Sequence, residues 1–427
     1  MTPNSLLAEY TREFEILAAQ QGLAYYPIDF EVVPAHFMTE VAVYGLPIRM
    51  PHWSFGVRYI HQLIRQSMGH SRIFEVMFPG DPCHAYLVRD NSIAENILVV
   101  AHVIGHADFA KRNSLFKRFM AMGGARILEQ AAERARAIER ALVEHGQEKV
   151  EQVLDAALAL EPHVDIHQPL YRSARAPSSP LASESYREYD LLWFIANHAP
   201  ELQGWQRDIF LAVREESFFF YPVFACQIMN EGWASYWHAR LLRQADFLPP
   251  AEYLAAIKAH SDVVRPFAAD DQLALSINPY HLGFSMWEDV IERYGIDTAR
   301  QICHDEDDFG FIRNYLTQNL ADKLNLFVYE TDHDGSIRIA NKNIHAIREA
   351  ILSVKFNYGA PRVAVKAVHG DGRLELIHDV GEDGRGLDLA RAERVLDYIA
   401  RVWQRPVSLH TVGINGQPRV LGTSLNT

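Results

Sequence analysis

Two histidines four residues apart, His102-Val-Ile-Gly-His106, lie inside the apolar run NSIAENILVVAHVIGHADF. A cap at Asn91 or Ser92 and the absence of Pro or Gly before Gly105 predict a buried helix. Spacing i, i+4 turns both imidazoles to one side, where they can chelate one metal ion. The competing reading is a pair of hydrogen-bonded core histidines. Against it, so apolar a helix has little reason to bury two titratable rings unless something binds them. Glu95 stands two turns before His102 on the same face, as a ligand, an outer acceptor for an imidazole N–H, or a water-activating base.

A second group, Asn230-Glu-Gly-Trp-Ala-Ser-Tyr-Trp-His238, places Glu231 and His238 two helical turns apart on one face. A carboxylate among Trp233, Tyr236 and Trp237 is rarely buried without a partner, so Glu231 reads as a ligand or catalytic group rather than a structural ion pair. His-x-x-x-His with a distant Glu supplies three protein ligands of a zinc site and leaves one position open. His238 and Glu95 are the expected fourth ligand or outer support. The donors suit a divalent ion, zinc first, without excluding iron or manganese. The thermolysin-type His-Glu-x-x-His motif carries its base where this chain has Val103. Either Glu95, Glu215 or Glu216 activates the water, or the ion does something other than peptide hydrolysis.

Other chemistries are poorly supported. A di-iron bundle would want paired Glu-x-x-His motifs, and none occurs around Glu95, Glu216 or Glu231; a Gly-x-Ser-x-Gly elbow and a phosphate-binding glycine loop are missing from the sequence. His52 and Trp53 in MPHWSFG, and Tyr280 in NPYHLGFSMWEDV, are expected to line the pocket beside the histidine helix. The plainer readings there are an aromatic corner and a helix start.

These groups need a frame, and the 427 residues, 48% apolar and 11% aromatic, are enough for a large core in two or three units. The fold class read from the pattern is mainly α with a C-terminal α+β domain. Residues 6–19 have helical spacing, residues 26–84 mix loops, short helices and a short strand, and residues 114–160 form solvated helices. A Ser/Ala/Pro-rich connection at 173–185 precedes further buried helices. After about residue 325 the period changes to short β-branched runs, LFVYE, SIRIAN, RVAVKAV, RLELIHDV and PVSLHTV, separated by DHDG, HGDGR, GEDGRG and NGQ turns. Two helical stretches interrupt them. The expected division is a helical domain over 1–324 and an α+β domain over 325–427.

The 41 basic and 54 acidic residues give a formal charge of −13, which argues against a nucleic-acid or anionic-lipid partner. Three distant cysteines form no CxxC pair, consistent with a reducing compartment. With no signal-like N-terminus and no long uncharged apolar run, a cytoplasmic location is expected.

In series, PHWSFG (51–56), DPCHAYLVRDN (81–91), AHVIGHADFAKRN (101–113), WQRDIFLAVREESFFFYP (205–222), MNEGWASYWH (229–238), NPYHLGF (278–284) and DFGFIRNYLT (308–317) resemble the stage V sporulation protein R (SpoVR) family over most of the chain. That resemblance implies an association with spore cortex formation or, in bacteria that do not sporulate, with a stress response. It also implies partnership with a PrkA-type serine kinase and a von Willebrand A-like protein. Glu-Gly-Trp-Ala is similar to the glutamate-ligand helix of some zincin metallopeptidases, which puts Glu231 in the ligand role. The combined expectation is a metal-dependent hydrolase of an amide or peptide bond with a zincin-like core. The alternative is a non-catalytic regulatory or scaffold protein working with the kinase, its metal site structural or degenerate.

Overall fold

The computed structural model describes residues 3–45, 52–67, 75–166, 187–265, 278–331, 337–380, 386–413 and 416–423. Helices dominate, as the pattern predicts, and the expected C-terminal strands are present. The connection at 173–185 and most of the DHDG and GEDGRG turns lie outside the described residues. Two compact units partition the chain: Met1–Arg49, Trp53–Glu129 and Pro222–Leu352 form one, and Met50–His52, Gln130–Tyr221 and Ser353–Thr427 the other. The change of period near residue 325 is therefore a change of local structure, and the compact units part elsewhere. Periodicity reports short-range structure, whereas this partition is set by long-range pairing. The Val365 N–H donates to the Glu188 carbonyl at 2.8 Å, and the Tyr189 hydroxyl to Asp379 at 2.8 Å, tying the middle of the chain to the C-terminal sheet.

In the first unit the histidine helix, Ile93–Arg112, is buried along almost its whole length and on every side. By length and composition it could cross a membrane, but 89% of its apolar window is covered by protein, which is the position of a core helix. It packs against the glutamate helix, Gln227–Leu242, which in turn packs against the tyrosine helix, Pro279–Tyr294. Glycines set how closely these approach. A Cβ on Gly105 would lie 2.7 Å from the Ala234 Cα, and one on Gly232 would lie 2.2 Å from the Gly283 carbonyl carbon.

Two fully buried carboxylates lock this arrangement. Asp308 accepts the Ile228 and Met229 N–H groups, both at 2.9 Å, at the start of the glutamate helix, where no intrahelical partner exists. Asp108 accepts from the Trp233 indole at 2.9 Å, from Arg112 at 2.8 Å and from the Ala24 N–H at 2.7 Å. Both are structural, and both fall in motifs of the sequence resemblance, DFGFIRNYLT and AHVIGHADFAKRN.

Upstream, the irregular stretch resolves into helices Ala35–Tyr44 and Trp53–Ser67 and a three-stranded sheet. Its central strand, Cys83–Val88, runs parallel to Ile28–Val33 and antiparallel to Glu75–Phe78, with Glu75 opposite Leu87. All three cysteines are buried, and none is in a disulfide.

The second unit combines most of Ile127–His145 with Gln147–Ala159, Leu191–His198 and a four-stranded sheet. Val363–Val368 and Leu374–His378 form an antiparallel hairpin across the HGDGR turn, where Gly372 takes φ 85°, a left-handed conformation that favours glycine. The helix Leu389–Trp403 then crosses over to the parallel strand Val407–Val412, and Pro418–Gly422 closes the edge. The indole of Trp403, at the helix end, donates to the Gly372 carbonyl at 2.7 Å.

Candidate metal centre

The histidine helix begins at a capping box. Ser92 Oγ accepts from the Glu95 N–H at 3.2 Å, and the Glu95 carboxylate accepts from the Ser92 N–H at 2.7 Å. From there the apolar run carries His102 and His106, 4% and 8% exposed, to the crossing with the glutamate helix. Gly105 makes that crossing close, which brings Glu231 up to both rings. Its Oε2 lies 3.5 Å from His102 Nε2 and 3.4 Å from His106 Nε2. One ligand atom from each of the three residues falls within 4.8 Å of the others.

These separations are too long for good hydrogen bonds. They match two atoms that each stand about 2.1 Å from a common ion at a tetrahedral angle, which places them about 3.4 Å apart. Buried His102 Nε2 and Glu231 Oε2 have no hydrogen-bond partner, an arrangement costly in a metal-free protein and natural around an ion. The donor set therefore fits a divalent metal.

The rings are held by their other nitrogens. His106 Nδ1 lies 2.9 Å from Asn230 Oδ1, an acceptor, so the proton belongs on Nδ1 and Nε2 keeps its lone pair. Behind His102 runs a chain of two further histidines: His102 Nδ1 is 2.8 Å from His238 Nδ1, and His238 Nε2 is 2.6 Å from His260 Nδ1. With each ring neutral, one direction of donation, from His102 to His238 to His260, leaves His102 Nε2 free as a ligand atom. Burial keeps the rings neutral, holding His102 and His260 down at about 4 and His238 well below its ordinary value. His238 is thus an outer support of His102, and the ligand role allowed for it is not where its nitrogens lie.

His106 and Glu231 behave differently. Burial, the largest single influence, would lower the His106 pKa, but the Glu231 charge together with the contacts to Glu231 and Asn230 and the Glu75 charge raises the value above the ordinary 6.5. Burial likewise opposes ionisation of Glu231, and the facing His106 charge holds it far below the usual carboxylate range. Tyr280 stacks on His102 with ring centroids 5.9 Å apart, and the Glu231 charge, with burial, pushes its phenol well above 10.

Among the described residues, one further carboxylate comes within 4 Å of His102. Glu75 Oε1, at the first position of its strand, is 3.9 Å from His102 Nε2. Burial pushes its pKa up to about 7; the His106 charge opposes that rise and the Glu231 charge adds to it.

Several expected residues are engaged with other partners or exposed. Glu95 is engaged in the capping box, about 10 Å of helix rise from His102. Glu215 and Glu216 belong to the other unit, where both face Arg134. His52 also belongs to that unit and is paired with Asp155 at 3.0 Å, while Trp53 is 55% exposed. Of the three pocket-lining residues expected, Tyr280 stacks on His102. Sequence reasoning missed Glu75 and His260, which sit in a short strand and in the helix Pro250–Val263, with no motif around them.

The family described as "SpoVR like protein" matches residues 2–185 and 172–359, a span that includes every residue of the cluster. The chain is 27% identical to "Uncharacterized protein YcgB" of Escherichia coli (strain K12), over 97% of this chain and 94% of that one. No solved structure matches it. The motifs that surround His102, His106 and Glu231 are thus set in a match running through most of the sequence, and the chain belongs to the SpoVR family.

Proposed function

We propose that the protein is a metal-dependent hydrolase of an amide or peptide bond, with one divalent ion, zinc first, held by His102, His106 and Glu231. The observation that carries this reading is the approach of one carboxylate oxygen to two imidazole nitrogens at 3.5 and 3.4 Å, with two of those buried atoms unpaired. Three protein ligands leave a position for water or substrate, the pattern of catalytic rather than structural zinc. The Glu231 and Glu75 side chains keep part of their surface exposed, 20% and 16%. The His-x-x-x-His helix crossed by a glutamate helix supports a zincin-like arrangement of ligands. An ion bound there would act as a Lewis acid on a carbonyl oxygen and on water. Asn230 and His238 orient the ligand rings, and Tyr280 walls the site beside His102.

The test starts from metal-stripped protein titrated with zinc. One ion per chain is expected, together with chelator-sensitive cleavage in a peptide and amide library. The family's association with spore cortex formation makes cell-wall-related peptides the first substrates to screen. A chain that takes up no divalent ion overturns the reading.

Uptake should depend on pH with a definite sign. The ion requires a neutral His106, whose raised pKa keeps a proton on it above 6.5, so affinity falls as pH drops through that raised value. His102, held at about 4, is already neutral and releases nothing near neutrality. Calorimetry in two buffers of different protonation enthalpy should therefore detect a release from His106 of about half a proton per ion at its pKa, approaching one as pH falls about a unit below it and vanishing above it. Release that does not vary with pH would contradict the assignment.

A further inference from the structure

We infer that Glu75 is the carboxylate that takes the proton from the attacking water, the role that Val103 leaves empty beside His102. The inference rests on the metal-site reading and names the catalytic group that this reading lacked. Its basis is position. Glu75 begins the strand Glu75–Phe78, whose pairing with Cys83–Val88 fixes the backbone opposite Leu87. From there Oε1 comes to 3.9 Å from His102 Nε2, and the side chain is mostly buried.

That distance is too long for a hydrogen bond to the ring. Glu75 also falls outside the set of groups whose ligand atoms lie within 4.8 Å of one another, which consists of His102, His106 and Glu231. An oxygen so placed stands outside the candidate ligand set but next to it, where it could take a proton from a water if an ion held one there. The three carboxylates expected from sequence have partners of their own: Glu95 is engaged in its cap, and Glu215 and Glu216 face Arg134.

The step balances without a further reagent. Glu75 accepts one proton from water as the water oxygen bonds to the amide carbon, and the carbonyl π pair moves onto its oxygen. That pair then returns, the carbon–nitrogen bond breaks, and the proton held by Glu75 passes to the leaving nitrogen. Amide and water become acid and amine, and Glu75 is again ionised.

The alternative is that Glu75 moves in as a fourth protein ligand and closes the site. Zinc titrations of wild type, Glu75→Gln and Glu231→Gln separate the two. As an outer base, Glu75→Gln keeps one zinc per chain at nearly wild-type affinity and loses about 10²–10⁴-fold in cleavage rate. A readout that needs no substrate uses acetohydroxamic acid, which gives up its hydroxyl proton when it chelates an ion. Zinc-loaded wild type should bind it roughly tenfold or more tightly than zinc-loaded Glu75→Gln, because the proton acceptor is gone. Azide, which brings no proton, should bind the variant no more weakly than wild type. Loss of zinc from Glu75→Gln comparable to that from Glu231→Gln makes Glu75 a ligand and overturns the inference, as does equal hydroxamate affinity. Failure of wild type itself to take up zinc is read first and removes the metal-site reading along with this one.

Discussion

Glu231→Gln is expected to leave the chain folded and to lower its zinc affinity by more than about 100-fold, beyond the roughly 10–100-fold cost of removing an outer-shell partner. Glu231 is the group the two histidines share, since its Oε2 faces both Nε2 atoms. The substitution keeps the shape of the side chain and removes its charge and one strong acceptor. The metal-free chain should stay folded but lose the charge interaction between Glu231 and His106, so wild type and variant are each compared with and without zinc. Thermal unfolding with and without zinc gives the readout. At free zinc about 100 times Kd, wild type gains about 2.7 kcal/mol, and the variant at the same zinc concentration gains almost none. A variant with the full zinc-dependent rise in Tm would place the ion elsewhere. The same substitution takes away the charge that raises the His106 pKa, so the pH-dependent proton release should disappear with the binding.

What the sequence makes legible follows from range. The His102/His106 pair and Glu231 stand out because one helix turn or a dense aromatic helix puts chemistry at short spacing. The strands after residue 325 stand out because alternation and turn residues are local signals: Val363–Val368, Leu374–His378 and Val407–Val412 coincide with the runs read from the pattern. Glu75 carries no such mark. It is a single carboxylate in the run FEVMF, and its meaning depends on a helix 27 residues on and on a sheet whose central strand comes after it. The partner of His52 is hidden for the same reason, since Asp155 is 103 residues away. Glu95 is a different failure. Ser92-x-x-Glu95 before an apolar run is a capping-box signature, and that local demand takes the carboxylate that face-counting along the helix assigns to the site. The unit boundaries were invisible because the pairings that draw them, such as Glu188 with Val365, join distant parts of the chain.

Gly232→Ala should destabilise the first unit and weaken zinc binding together, although alanine is the better helix former. On propensity alone the change gains about 0.5–1 kcal/mol. Packing opposes it, because the new Cβ would lie 2.2 Å from the Gly283 carbonyl carbon and 2.4 Å from its Cα, both backbone atoms that cannot rotate aside. Overpacking of this kind costs about 1–3 kcal/mol, occasionally more. A collision with backbone belongs at the upper end, so the net loss is about 2 kcal/mol, or roughly 4–8 °C in Tm for a unit of this size. Gly232 adjoins Glu231, so a glutamate helix pushed off the tyrosine helix carries the shared ligand away from His102 and His106. Gly56→Ala supplies the control with the opposite sign. Gly56 is an exposed glycine of the helix Trp53–Ser67 with nothing within 4 Å of its would-be Cβ, so propensity acts there unopposed and Tm should rise. Equal and positive shifts for the two variants would mean that the helices do not approach as closely as the glycines imply. The geometry that brings Glu231 to the histidines would then need another cause.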